Sequence, residues 1–142
     1  VKLFIIGADP SKSILELDKI PYITVTGSVD DVRSYVRKCA VNIAPLNIAR
    51  GTQNKILESL ALGVPVVTTK VAAGGVDAVP GEHFLTADSH EKFAEAVISL
   101  LENSDERKRL SEAGRERMIE NHNWQNSMKK LDKIIEKNLN LK

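Results

Sequence analysis

The stretch ARGTQNKILESLALGVPVVTT, residues 49–69, passes from small and polar residues into a short helical run and, after Gly63 and Pro65, into a β-branched strand. Within the helical part Ile56, Leu57, Leu60 and Ala61 recur at the spacing of one buried helix face, while Asn54, Lys55 and Glu58 fall on another. Loop, helix and strand in that order are a piece of a βαβ unit, and the same alternation continues on both sides. Short apolar, β-rich runs recur at Leu3 to Ile6, Ile23 to Thr26, Val41 to Ala44, Val64 to Thr68 and, more weakly, His83 to Thr86. Each reads as a buried strand. Helix-period segments lie between them, such as Val32, Tyr35, Val36 and Cys39 at i, i+3, i+4 and i+7. Strands alternating with helices imply an α/β fold: a doubly wound, Rossmann-like parallel sheet with helices on both faces. Its expected core holds Leu3, Ile5, Ile23, Val25, Val41, Ile43, Val66 and Val67.

The end of the chain is helical. Asp88 with Glu91 three residues on resembles a capping box, opening a helix whose inner stripe is Phe93, Val97, Leu100 and Leu101. Asn103 and Glu106 repeat the device for the next helix. A last helix carries Trp124, Met128, Leu131 and Ile135 on one face, with Lys129, Lys130, Asp132 and Lys133 on others. That stripe reads as core packing rather than a partner site. The three helices form an α-helical C-terminal tail.

At 142 residues, 42% hydrophobic and 27% charged, the chain has the length and composition of a single globular domain, residues 1–142. Twenty Lys and Arg against nineteen Asp and Glu leave a formal charge of +1, so no global field selects for nucleic acid. The single Cys39 excludes an internal disulfide, and no apolar run approaches the roughly 20 residues that span a bilayer. A reducing, cytoplasmic location is expected. The opening VKLFIIG is already a strand pattern, which suggests a fragment of something longer. His83, His90, His122 and Cys39 show no metal-ligand spacing, and neither a G-x-x-x-x-G-K-[ST] loop nor a G-x-S-x-G elbow occurs.

In open parallel sheets ligands bind outside the carboxyl ends of the strands. Here the loops leaving those ends are Gly7 to Pro10, Gly27 to Asp30, Pro45 to Gln53 and Lys70 to Gly75. Glycine permits close backbone approach, although each of these glycines also suits a plain turn. The Pro45 to Gln53 loop differs because a helix follows at once, and unpaired N–H groups at a helix start bind phosphate. A carboxylate one turn further, Glu58, repels a lone phosphate but suits a nucleotide, accepting two hydrogen bonds from vicinal ribose hydroxyls. The alternative is an i,i+3 surface ion pair of Lys55 with Glu58. Spacing leaves both readings open. Gly74-Gly75 serves equally as a phosphate loop or a turn.

LFIIG at 3–7, ITVTGSVDDVRSYVRKCAVNIAPL at 23–46, GTQNKILESLALGVPVVTT at 51–69, Gly74-Gly75 and the helical tail together resemble the C-terminal domain of retaining glycosyltransferases of group 1, or family 4. The most specific part is NKILESLALGVPVVTT, similar to the family's Asn-x-x-x-Glu-x-x-x-x-Gly-x-Pro-Val-Val pattern. The resemblance implies the two-domain GT-B arrangement. In it the C-terminal domain holds a nucleotide-sugar donor and the N-terminal domain a saccharide or lipid-linked acceptor. A hexosyl group is transferred with retention, without a metal or other cofactor, in pathways such as polysaccharide biosynthesis.

By position, Glu58 matches the second Glu of the family's Glu-x7-Glu motif, which bonds the donor ribose. Gly51, Thr52, Gln53 and Asn54, with Lys55 beside them, match the loop and helix start that face the donor sugar and diphosphate. Thr26, Gly27 and Val29 match the stretch near the base. Where the family commonly places its first Glu this chain has Arg50. A guanidinium there suits the diphosphate or an acidic sugar, or simply lies solvated on its loop. The family's first βα unit and its N-terminal domain are absent from the sequence. With the family's strand order 3-2-1-4-5-6, that absence implies direct pairing of Leu3 to Ile6 with Val41 to Ala44, or an open edge inviting dimerisation of the fragment. Peripheral membrane association would run through the missing domain, and the fragment alone should not catalyse transfer.

Two other readings compete. One is a GT-B epimerase or phosphorylase. The other is a receiver-like α/β module, which needs a phosphoacceptor Asp where this chain has Ala44-Pro45-Leu46.

Overall fold

The computed structural model describes residues 1–139. By its contacts the chain divides into two compact units, Val1–Tyr35 and Val36 onward, with the division falling inside a short helix.

The first unit holds β1 (Leu3–Ile6), α1 (Lys12–Leu17), β2 (Ile23–Gly27) and the start of α2 (Arg33–Val36). Ser11 caps α1, its extended backbone letting the hydroxyl accept from the Ile14 N–H at 3.4 Å. Asp18, at the other end of α1, accepts from the Val25 N–H at 2.8 Å and so ties the helix to β2. The strands pair in parallel from Leu3 with Ile23 to Ile6 with Gly27, and the register skips Thr26. Leu3, Ile5, Ile23 and Val25 do not form the expected core: Leu3 is 37% exposed and the others are half-buried. A two-stranded pair has an edge on each side, and one six-residue helix is too short to enclose its faces. The helix expected from Val32 to Cys39 shrinks to the four residues of α2.

The second unit adds β3 (Asn42–Ala44), α3 (Asn54–Ala61), β4 (Val66–Thr68), α4 (Lys70–Ala73), β5 (Leu85–Thr86), α5 (His90–Glu102), α6 (Ser104–Asn121) and α7 (Trp124–Leu139). Its strands are parallel in the order β3-β4-β5, so β3 is an edge of that sheet. Val66 and Val67 are fully buried, as expected, and they lead to the two sides of the sheet. Val66 joins Ile56 and Leu60 of α3, Phe84 and Met118; Val67 joins Leu100 of α5 and Leu110, with Phe93 and Val97 packed around them. Helices therefore cover both faces of this sheet. Val41 and Ile43, at its edge, are only half-buried.

Ser89, one residue after the expected Asp88, caps α5 by accepting from the Lys92 N–H at 3.2 Å. Asp88 instead bonds the Lys70 N–H at 3.1 Å and its ammonium at 2.7 Å. Asn103 caps α6 as expected, accepting from the Glu106 N–H at 3.0 Å, and Arg107 donates to the last carbonyls of α5, those of Leu100 and Leu101.

The expectation for the last helix is overturned. Every residue from Ser127 to Leu139 is exposed, and the apolar stripe includes Trp124 at 84% and Met128 at 45% exposure. Amphipathic spacing established the helix but did not supply a partner for its apolar face.

Candidate functional site

α3 is anchored from below and open at its start. Ile56 and Leu60 are buried, and Ser59 is 1% exposed. The Ser59 hydroxyl donates to the Lys55 carbonyl at 2.8 Å and accepts from the Asn42 amide at 2.6 Å, fastening α3 to β3. Ser59 thus takes the inward place expected for Ala61, which is exposed. The helix ends at Gly63, whose φ of +72° continues the chain left-handed. Gly63 N–H bonds the Leu60 carbonyl and Val64 N–H the Ser59 carbonyl, so two otherwise orphaned acceptors are met. Pro65, which has no N–H to offer, then leads into β4.

At the opposite end no side chain caps α3. The N–H groups of Ile56 and Leu57 turn back to the Gln53 carbonyl, which leaves those of Asn54 and Lys55 ahead of the first helical bonds. Gln53, the residue in the cap position, spends its side-chain amide on the carbonyls of Arg50 and Gly51, at 3.3 and 3.4 Å. Ser11, Thr69, Ser89 and Asn103 each cap their own helices with a side-chain oxygen. α3 therefore presents bare amides and the positive end of its dipole.

The loop leading into α3 is pinned at its base. Thr68 donates its hydroxyl to the Ala44 carbonyl at 3.1 Å, and Thr69 to the Leu46 carbonyl at 2.6 Å. Beyond that anchor Arg50, Gly51 and Thr52 are exposed, with Gly51 at a φ of +65°. Asn54, Lys55 and Glu58 lie at the surface of α3, and the ion pair of Lys55 with Glu58 does not form: among the described residues Glu58 has no ion-pair partner. Arg50 to Lys55 and Glu58 are thus brought together within the second unit.

Thr26, Gly27 and Val29 belong to the first unit, at the carboxyl end of β2, and are half-buried. The Thr26 hydroxyl donates to the Gly27 carbonyl at 3.0 Å, and Gly27 adopts a φ of +67°.

A groove of about 380 Å³ opens beside Ile43, Pro45, Asn47, Thr69, Asp88 and Phe93, at the carboxyl ends of β3, β4 and β5, and Pro45 and Asn47 belong to the loop from Pro45 to Gln53 that the sequence singled out. None of the expected site residues lines it. Its walls are chiefly apolar, and its acid is spoken for: hydrogen bonding from Lys70 holds the Asp88 carboxyl below the usual carboxylate range. Charged ligands therefore fit the open start of α3 better than this groove.

His83 is 8% exposed and accepts the Val79 N–H on Nδ1 at 3.0 Å, a structural use of its ring. Among the described residues no group of three or more His, Cys, Asp and Glu could hold a metal ion, and no helix is long and apolar enough to cross a membrane.

Comparison with known proteins joins this geometry to a family. The profile of the family described as "Glycosyl transferases group 1" matches residues 1–103, ending just after α5. Among solved structures, sucrose-phosphate synthase from Thermosynechococcus elongatus is similar over 99% of this chain, with a TM-score of 0.79 at 19% sequence identity. The chain spans 39% of the length of that structure. No curated protein matches.

Proposed function

The chain belongs to the group 1 glycosyl transferases, and on that premise we propose that its second unit holds the nucleoside-diphosphate part of a nucleotide-sugar donor on residues 50–58. The observation that carries the reading is the uncapped start of α3 with a carboxylate one turn beyond it that pairs with no described cation. The amides of Gly51, Thr52, Gln53, Asn54 and Lys55 face the diphosphate, where the helix dipole favours negative charge. Glu58 accepts from the two ribose hydroxyls, a use that a surface acid outside any ion pair can serve. The side chains of Lys55 and Arg50 add positive charge around the diphosphate. The family resemblance assigns Thr26, Gly27 and Val29 of the first unit to the neighbourhood of the base.

The reaction is transfer of a hexosyl group, with retention, to a saccharide or lipid-linked acceptor held by a further domain of the enzyme. Its difficult event is departure of the nucleoside diphosphate. Fixed donors and cations aimed at that developing charge lower the barrier, with the acceptor hydroxyl positioned beside the anomeric carbon. No side chain here needs to become covalently attached to the sugar.

Glu58→Gln tests the reading directly. It keeps the shape of the side chain and removes the charge, so nucleotide and donor binding should weaken by about 1–3 kcal/mol, the scale for a hydrogen bond to a charged group. Titration calorimetry with UDP, GDP, ADP and TDP measures it. Unchanged affinity for all four, with a lowered melting temperature, would make Glu58 a structural residue and end the donor reading.

A further inference from the structure

Gly74 and Gly75 stand side by side after α4, yet their surroundings differ. Gly74 is the C-cap of α4 with a φ of −59°, and a Cβ there would meet the carbonyl oxygens of Val71 and Lys70 at 3.6 and 3.8 Å, ordinary contact distances. A Cβ on Gly75 would stand 2.5 Å from the Gly51 carbonyl oxygen, 2.9 Å from its carbon and 3.1 Å from Thr52 Cα. All three obstacles are backbone, so no rotamer change relieves them. The loop they belong to is also held by Gln53, whose amide donates to the Arg50 and Gly51 carbonyls. Backbone therefore rests on backbone at the place where the chain turns into the open start of α3.

We propose that Gly75 is a positioning residue for the donor diphosphate: it touches no ligand, but the absence of its side chain sets where the Gly51 and Thr52 amides stand. The inference rests on residues 50–58 being the donor site. Its size follows from the geometry. To bring the Gly51 oxygen from 2.5 Å to an ordinary 3.4 Å from a Cβ, the loop must retreat by about 0.9 Å. Hydrogen-bond geometry at a phosphate is lost over such distances, and a misplacement of about 1 Å can cost on the order of 100-fold.

The test compares Gly75→Ala, Gly74→Ala and Glu58→Gln in the full-length enzyme, by calorimetry with UDP, GDP, ADP and TDP and by steady-state kinetics with the corresponding nucleotide-sugars. Gly75→Ala should weaken the best-bound nucleotide by about 10- to 100-fold and raise donor KM while acceptor KM holds. Gly74→Ala should stay within about twofold of wild type, as expected where no contact tightens. A loss of fold would move both substrates' parameters together, so the split identifies positioning. If Gly75→Ala does not fold, amide exchange of the wild-type enzyme decides: added nucleotide should slow exchange at 74–76 as well as at 50–54. Protection confined to 50–54 overturns the proposal. Weakened binding in Glu58→Gln with Gly75→Ala matching Gly74→Ala overturns it too, while leaving the donor site in place. No effect from Glu58→Gln or Gly75→Ala would remove the donor site and the positioning role together.

Discussion

Gly114→Ala should destabilise the protein, although helix propensity argues the other way. Gly114 lies in the middle of α6, where Gly is less favourable than Ala by about 0.5–1 kcal/mol. The surroundings reverse the sign. A Cβ at this position would stand 2.8 Å from Leu60 Cδ2 and 3.0 Å from the His83 carbonyl oxygen. Leu60 is 1% exposed, so its methyl can shift only within the packed interior, and the His83 carbonyl is backbone. Relief requires α6 to move away from α3, which loosens the packing around Leu60 and Met118. Overpacking of a well-filled core costs about 1–3 kcal/mol, so a net loss of up to roughly 2.5 kcal/mol remains after the propensity gain. Urea unfolding followed by circular dichroism would show it as a lower midpoint at unchanged slope. Leu60→Ala alone should cost about 2–5 kcal/mol. The methyl that Gly114→Ala introduces fills part of that cavity, so the double variant should fall short of the summed losses by about 0.5 kcal/mol or more. A Gly114→Ala midpoint at or above wild type, or strict additivity in the double variant, would refute the close α3–α6 packing on which the reasoning depends.

Arg50→Ala in the full enzyme should lower kcat for neutral and acidic donors alike, by roughly 10- to 100-fold, because negative charge develops on the leaving diphosphate whatever the sugar. A loss confined to uronic-acid donors would assign Arg50 to the sugar instead, and no change in kcat or KM would place it in solvent. Asp88→Asn should remove an acid-dependent part of stability. The Asp88 carboxyl is held low chiefly by its hydrogen bond to the Lys70 side chain, so its contribution is present above the ordinary carboxylate pKa and fades as pH falls through the depressed folded value. Melting temperatures of wild type and variant should therefore differ at neutral pH and converge as the pH drops well below about 4; a constant gap across that range would contradict the ion pair.

Much of the candidate site was readable because local chemistry carries it. The polar face of α3 follows from the helical period alone, and Asn54, Lys55 and Glu58 sit on it as the spacing requires. What period could not tell was which small residue turns inward: Ser59 does, because Asn42 on β3 offers its hydroxyl a partner, while Ala61 faces out. Nor could it decide whether Lys55 and Glu58 pair or stand apart, since both outcomes need the same i,i+3 spacing. The two adjacent glycines read alike as letters. Only the arrival of residues 51 and 52 against Gly75 separates them.

The sequence by itself determined the strands, the three closing helices and the parallel pairing, whereas Lys70 to Gly75, expected as a loop, holds the short helix α4 because Thr69 caps it. Periodicity, Gly63 with Pro65 and the Asn103 cap are local signals, and an alternation of strand and helix leaves a parallel sheet as the packed solution. Tertiary structure alone decided what is covered. Val67 is buried because helices lie on both faces of the β3-β4-β5 sheet, whereas Leu3, with the same strand-like character, is exposed because its two-stranded pair lacks enough neighbours. The stripe of α7 makes the same point: Trp124 and Met128 show which face is apolar, and burial then depends on whether another surface arrives to exclude water. A chain's own spacing encodes the first property. The second belongs to the neighbours.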